Sequence, residues 1–446
     1  MKIVIAGAGE VGTHLAAMLS KEAHDIIIID PDSRHLSEAD AYCDLLTIKG
    51  SATCFDVLNK SGVERADLYI AVTSVEEVNL ISCIMAKELG AAKSIARVDN
   101  PEYLNDTKRQ FFKKLGIDSV ICPEKLAANE ITNLLKHAGV TEISEFSGGK
   151  LSLFVVRLKE NTPLISKTLR EFASINAEID FTVVAISRNG NTIIPRGDDV
   201  FDINDMVFII SNMSGIENIL QSTGKEKINI HNVMILGGSR IGKKTAINLE
   251  NELNIKIIEG DKNTCQHLAG ILHKSLIING DGTKIDLLKE EGIQNMDAFI
   301  AVTGNSETNI LSCLLAKRMG VKETIAEVEN LEYINLAENI GIDTIINKKL
   351  ITASHIFQFT MNYEVSSIKL LTGADAELLE FIAKPGSPVT RKQIKDLGFP
   401  HNALIGGVIR GEQEYIAKGS FAIQPDDKVI VFTLPSAVKK VGKFFN

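Results

Sequence analysis

The chain is written twice, and that duplication constrains its fold more than any other feature. The opening "MKIVIAGAGEVGTHLAAML" returns as "HNVMILGGSRIGKKTAINL", with Gly7 and Gly237 standing 230 residues apart. The shift persists: "IKGSATCFDVLNKSGVERADLYIAVTSVEEVNLISCIMAKELG" runs beside "INGDGTKIDLLKEEGIQNMDAFIAVTGNSETNILSCLLAKRMG". "IARVDNPEYLND" then faces "IAEVENLEYINL", and "GIDSVICPEKL" faces "GIDTIINKKL". A fainter repeat follows each half, as "TPLISKTLREF" beside "SPVTRKQIKDL" and "VVAISRNGNTIIPRGDDVFDINDMVFIIS" beside "IGGVIRGEQEYIAKGSFAIQPDDKVIVFT". The order is A–B–A′–B′, and no unshared segment of domain size remains. The expected boundaries are 1–124, 139–222, 230–350 and 363–446, with the polar stretch from Ser222 to Asn232 as the joint between halves.

Each A unit alternates short β-branched runs with helical patterns. In the first, "KIVIAG", "DIIIID", "DLLTIKG", "ADLYIAVTS" and "SIARV" read as strands, with helices through "VGTHLAAMLSK" and "NLISCIMAKELG". Continuous apolar strands joined by helices mean a parallel sheet covered on both faces. The B units show "LSLFVVRL", "FTVVAISRNG" and "DMVFIIS" between polar turns. They read as small α+β lobes with hairpins, whose edges would suit pairing with another copy. The fold class is therefore α/β: two doubly wound parallel-sheet N-lobes, each followed by a small α+β C-lobe, in tandem.

Each glycine turn lies directly between a strand and a helix. Gly7, Gly9 and Gly12 form G-x-G-x-x-G, the Rossmann-type pattern. There the first glycine allows the tight turn, the second lets backbone approach a pyrophosphate, and the third permits close helix–strand packing. Ala8, Glu10 and Val11 complete the turn, and the N–H groups from Gly9 to Val11 would face phosphates with the helix dipole behind them. The second strand ends on Asp30, 18 residues after Gly12, where a carboxylate accepts hydrogen bonds from ribose hydroxyls and repels a 2′-phosphate. This favours NAD(H) or an adenine nucleotide over NADP. Other strand ends supply Ser51 and Ala52 near the adenine, and Thr73 and Ser74 near the sugar-phosphate. Arg97 either meets a phosphate oxygen or pairs with Asp99 or another acid.

The second turn, Gly237, Gly238, Ser239, Arg240, Ile241 and Gly242, departs from the first. Ser239 puts a side chain where backbone and pyrophosphate should touch. Glu259 takes Asp30's place, and Glu327 stands where Arg97 would, a reversal that repels phosphate. The two sites are expected to be inequivalent.

Composition narrows the function. A net charge of −9 and no Trp argue against nucleic-acid partners, which need a basic face and stacking platforms. No apolar run approaches the roughly 20 residues of a membrane span. The opening lacks a signal peptide's apolar segment, so a cytoplasmic location is expected. Cys43, Cys54, Cys83, Cys122, Cys265 and Cys313 form no C-x-x-C pair; neither a metal site nor a disulfide framework is indicated. Leu126, Ile131, Leu134 and Leu135 share one helical face.

With "GAGEVG" and Asp30, "AVTSVEEVN", "IARVDNPEY", "CPEKL" and the A–B–A′–B′ order, the chain resembles the RCK (regulator of K⁺ conductance) family. That family includes the peripheral subunits of Trk-type potassium uptake, and the resemblance covers nearly the whole chain. It implies NAD(H) binding, with ATP and ADP as competing regulatory ligands. It implies a homo-oligomeric ring, a tetramer for a two-lobe chain, docked through a Trk/Ktr-type membrane K⁺ transporter subunit on the inner face of the membrane. It also implies that the helix carrying Leu126 to Leu135 crosses to a neighbouring lobe, and that face is expected to be a dimer contact. An NAD-dependent dehydrogenase is the rival from another class. Hydride transfer needs a placed acid or base, and the nine histidines are scattered. A non-enzymatic, ligand-gated regulator is therefore expected.

Overall fold

The computed structural model describes the chain except residues 22–23, 43–44, 137–141, 148, 159, 161, 223–228, 361–364, 372–373 and 375. Cys43 and most of the expected joint from Ser222 to Asn232 lie outside the described residues. The chain divides into two compact units, Met1–Ala127 with Asn347–Met361, and Ala128–Ile346 with Asn362–Asn446.

The first N-lobe runs β1 (Lys2–Ala6), α1 (Glu10–Lys21), β2 (Asp25–Asp30), α2 (Ser33–Tyr42), β3 (Leu46–Lys49), α3 (Phe55–Lys60), β4 (Leu68–Ala71), α4 (Glu76–Leu89), β5 (Ser94–Arg97), α5 (Asp106–Lys114), β6 (Ser119–Ile121) and α6 (Pro123–Lys136). Its six strands form one parallel sheet in the order β3-β2-β1-β4-β5-β6, reversing direction of progress beside β1. β1, β2 and β4 are almost wholly buried, as expected for strands covered on both faces. Three-residue β6 is too short to show a period and was not legible as a strand.

The first C-lobe contains β7 (Glu142–Phe146), β8 (Leu151–Arg157), α7 (Leu169–Ile175), β9 (Phe181–Arg188), β10 (Asn191–Ile193), β11 (Met206–Ser211) and α8 (Met213–Ser222). The second N-lobe repeats the first as β12 (Asn232–Leu236), α9 (Arg240–Leu249), β13 (Asn254–Glu259), α10 (Lys262–Ala269), β14 (Leu276–Asn279), α11 (Ile285–Glu290), β15 (Ala298–Ala301), α12 (Ser306–Arg318), β16 (Glu323–Glu327), α13 (Leu331–Asn339), β17 (Thr344–Ile346) and α14 (Lys348–Phe357). Its sheet order, β14-β13-β12-β15-β16-β17, matches strand for strand. The second C-lobe has β18 (Val365–Leu370), β19 (Glu377–Ile382), β20 (Ala403–Arg410), β21 (Gln413–Ile416), β22 (Lys428–Thr433) and α15 (Val438–Phe445).

Both C-lobe sheets are antiparallel and five-stranded. They meet by their faces within the second unit, leaving β7, β10, β18 and β21 as edge strands. Leu153, Val155 and Phe208 of one sheet share a core with Leu378, Ile430 and Phe432 of the other. The Phe208 and Phe432 rings stand 6.4 Å apart. Gly406 and Gly407 permit that approach, since a Cβ on either would run into Ile210 or Leu151. Facing apolar sheet surfaces bury a large apolar area, which holds the two lobes together. Each C-lobe also carries the same ion pair, a half-buried arginine on a buried aspartate. Arg188 donates to Asp205 at 2.8 and 2.7 Å, and Arg410 donates to Asp427 at 2.9 and 2.7 Å.

The helices after the N-lobes are exchanged between units. α6 passes from the first unit into the second, where Asn248 of α9 donates to Thr132 Oγ1 at 3.2 Å and Lys136 pairs with Glu252 at 3.3 Å. Ile131, Leu134 and Leu135 are buried by this chain itself. The expected dimer contact is thus corrected: because the two lobes are covalently linked, the neighbouring lobe belongs to the same polypeptide. α14 makes the reciprocal move, packing along α1 in the first unit.

Candidate functional site

Both glycine turns are shaped by close approach. Gly7 has φ +105°, and a Cβ there would lie 2.9 Å from Thr73 N; Gly237 has φ +107°, with Val302 O at 2.9 Å. A Cβ on Gly12 or Gly242 would run into the carbonyl oxygen of Gly7 or Gly237, so these glycines set the helix against the strand. A Cβ on Gly9 would meet nothing within 4 Å, which leaves the middle position of the first turn facing open space.

Asp30 closes β2 with its side chain turned toward the turn, 7% exposed. Oδ2 accepts the Ala8 N–H at 2.8 Å, and Oδ1 accepts the Asp32 N–H at 2.8 Å. Two donors leave lone pairs of this carboxylate free for further hydroxyls. His35 Nδ1 lies 3.5 Å away. Glu259 acts the same way, accepting the Gly238 N–H and the Asp261 N–H at 2.7 Å each. Its extra methylene is accommodated by a compensating change. Where the first turn has Ala8, the second has Gly238, and a Cβ there would stand 3.1 Å from Glu259 Oε2. Ala8–Asp30 and Gly238–Glu259 are volume-matched pairs, a relation that single positions could not reveal.

Ser239 behaves differently from expectation. Its hydroxyl turns back and accepts the Gly242 N–H at 3.3 Å, capping α9 rather than projecting into the crevice. The crevice at this turn is a cavity of about 440 Å³ lined by Gly237, Gly238, Ser239, Glu259, Asp281, Gly282 and Thr303, among others. Asp281 replaces Ser51 of the first repeat and was not anticipated, although the aligned stretches display it. Hydrogen bonds from Thr283 hold its carboxyl below the usual carboxylate range. Arg240 and Ile241 begin α9, with Ile241 buried.

The other strand-end residues stand at the carboxyl ends of β3, β4 and β5. Ser51 is exposed and shares a 2.9 Å hydrogen bond with Thr53, while Ala52 is buried. Ser74 is exposed beside Thr73. Arg97 is flanked by acids: Nη2 is 3.3 Å from Glu124 and 3.7 Å from Asp99. Of the alternatives for Arg97, acid pairing is the one seen, while its Nε is buried without a hydrogen bond.

Sequence reasoning missed the residue that holds the strand ends together. Asn79 is fully buried on α4, accepting from Thr73 N at 2.9 Å and Thr73 Oγ1 at 2.7 Å. It donates to Thr73 O at 3.1 Å and Arg97 O at 3.0 Å. Asn309 repeats every contact with Thr303 and Glu327 in the second lobe. The signal was present, since each asparagine follows its threonine by six residues in both copies.

Parallel sheets with crevices at the glycine turns, each trailed by an α+β lobe, define a tandem Rossmann-type protein of the RCK fold. The TrkA-N domain model matches residues 3–123 and 233–348, and the TrkA-C domain model matches 153–223 and 378–446. The chain belongs to the TrkA family. It is 35% identical over 457 residues to "Trk system potassium uptake protein TrkA homolog 2" of Methanosarcina mazei, covering 100% of both chains. It is 34% identical over 452 residues to "Trk system potassium uptake protein TrkA" of Halomonas elongata, covering 100% of this chain and 98% of that one. Among solved structures, the GsuK RCK domain superposes with a TM-score of 0.64 at 16% identity, covering 100% of this chain and 94% of the other. The GsuK channel bound to NAD superposes at 0.63 and 16% identity, over 100% and 78%.

Proposed function

We propose that this chain is a nucleotide-sensing, non-catalytic peripheral subunit of a membrane potassium-uptake system. Its first crevice takes NAD(H), with ATP and ADP as competing ligands. The observation that carries the reading is Asp30, buried, turned toward the glycine turn and already fixed by two backbone N–H groups. A pre-oriented carboxylate with spare lone pairs suits vicinal ribose hydroxyls, and Gly9 leaves the approach to a pyrophosphate open. Ser51, Ala52, Thr73 and Ser74 would line the remainder, with Arg97 moving its charge from Glu124 to a phosphate. The second crevice, around Gly237–Ile241 and Glu259, would take a less charged ligand or bind the same one more weakly.

The names of the relatives support the potassium-uptake assignment, and the GsuK structures with NAD and with ADP support the ligand class. Among the described residues no helix is long and apolar enough to cross a membrane, in keeping with docking through a protein partner on the cytoplasmic side. Self-association is supported by exposed apolar side chains at matching positions of the two repeats. Ile81, Phe111 and Leu115 of the first correspond to Leu311, Leu336 and Ile340 of the second. Exposed apolar side chains repeated in both copies suit a closed ring of copies.

The regulatory step needs a differential affinity between two states. Moving an assembly from 1:99 to 99:1 takes about 5.5 kcal/mol, which several crevices per ring can share. The test is K⁺ flux through the reconstituted transporter with ATP and with ADP, alongside calorimetric titration of both. Different fluxes support the reading; equal fluxes with both nucleotides bound would sink it.

A further inference from the structure

Lys349 stands in the first turn of α14, the helix that follows the second N-lobe. Its ammonium lies 2.8 Å from the carboxylate of Glu10, which opens α1 immediately after Gly9. The lysine side chain is 13% exposed and the glutamate 67%. A mostly buried cation therefore sits one exposed side chain away from the turn that frames the first crevice.

That placement is unfavourable for the helix itself. A lysine in the first turn opposes the helix dipole, and Lys348 beside it adds a second positive charge. Helix initiation does not require either residue, because Asn347 caps α14 by accepting the Leu350 N–H at 2.9 Å. Glu10 is a poor permanent partner, since holding an exposed, flexible carboxylate in one place offsets most of the attraction. A phosphate fixed on the α1 turn would carry more charge and need no such ordering.

We propose that Lys349 is a phosphate-recognising residue of the first crevice, and that Glu10 occupies it until ligand arrives. The helix of the second repeat thereby completes the site of the first. The ligand class is a nucleotide with an unesterified di- or triphosphate end; the pyrophosphate of NAD(H), esterified at both ends, gains less. This inference rests on the nucleotide reading above.

The full-length chain is titrated calorimetrically with ATP, ADP and NADH, as wild type, Lys349→Gln, Glu10→Gln and the double variant. Lys349→Gln is expected to weaken ATP about tenfold and NADH by less, the loss of one charge-assisted hydrogen bond. Glu10→Gln is expected to strengthen ATP, and the double variant to follow the lysine change. Lys349→Arg, which retains the charge, retains most of the affinity. A pair that merely staples α14 to α1 predicts that both single variants lower the melting temperature together and shift ATP binding in the same direction. That result overturns the proposal. Wild type that binds no nucleotide overturns the crevice reading itself; wild type that binds ATP with Lys349→Gln unchanged overturns only the role of Lys349.

Discussion

The two crevices share one scaffold and differ in charge. In both, an asparagine ties the fourth strand's end to the fifth, and a carboxylate clamps the glycine turn. Around that frame the first crevice has one clamping acid, Ser51 and Arg97, whereas the second has Glu259, Asp281 and Glu327 at the matching positions. Duplication preserved the hydrogen bonds that hold the backbone and changed the charges that line the cleft. The difference teaches that a shared backbone geometry does not fix the charge of a cleft, because a few side chains reset its field.

The largest effect is expected from Asp30→Ala. Losing a pre-oriented carboxylate should weaken NADH binding about a hundredfold by calorimetry, or roughly 2.7 kcal/mol. Glu259→Ala should leave the tight NADH-binding step unchanged, and an equal loss would erase the proposed inequivalence.

Asn79→Ala and Asn309→Ala probe the shared frame. Each exposes buried backbone donors and acceptors, costing about 2 kcal/mol in denaturant unfolding. Similar costs at the two sites are expected, and a cost at only one would break the claim of a common scaffold.

Gly238→Ala tests the matched pairs. Its Cβ would stand 2.6 Å from Leu268 Cδ1 and 3.1 Å from Glu259 Oε2, so a loss of about 1–2 kcal/mol is expected from overpacking. Adding Glu259→Asp, which recreates the Ala8–Asp30 combination, should recover part of the loss in thermal melts. No recovery would mean that Leu268 alone sets the limit.

The smallest effect is electrostatic and confined to the second lobe. Burial works against ionisation of Glu250, but N–H groups of Lys274, His273 and Ser275 and the Ser275 hydroxyl outweigh it, lowering its pKa from 4.5. A lowered folded pKa means stability present above pH 4.5 and lost as pH falls through the lowered value. The first repeat has Ser20 at this position. Hydrogen exchange at residues 273–275 should therefore quicken on acidification by an amount worth at most about 1 kcal/mol, and Glu250→Gln should flatten that response.

Much of the site was legible because its requirements are local. Gly7, Gly12 and their partners are demanded by turn geometry, and Asp30 by the length of a strand–helix–strand unit, so both show in the letters at fixed spacing. Asn79 and Asp281 were visible in the alignment of the repeats but carried no motif to announce them. The compensation of Gly238 for Glu259 joins residues 21 apart, and only a measured distance exposes it.

The sequence alone determined the repeat of the lobes, the parallel character of the N-lobe sheets and the identity of the turns, because periodicity and glycine spacing act within a few dozen residues. Tertiary structure alone decided that the C-lobe sheets meet face to face, that α6 and α14 exchange units, and that Lys349 stands beside Glu10. Those choices depend on which apolar faces bury the most area once both halves are folded, a comparison made between distant segments that no local pattern encodes.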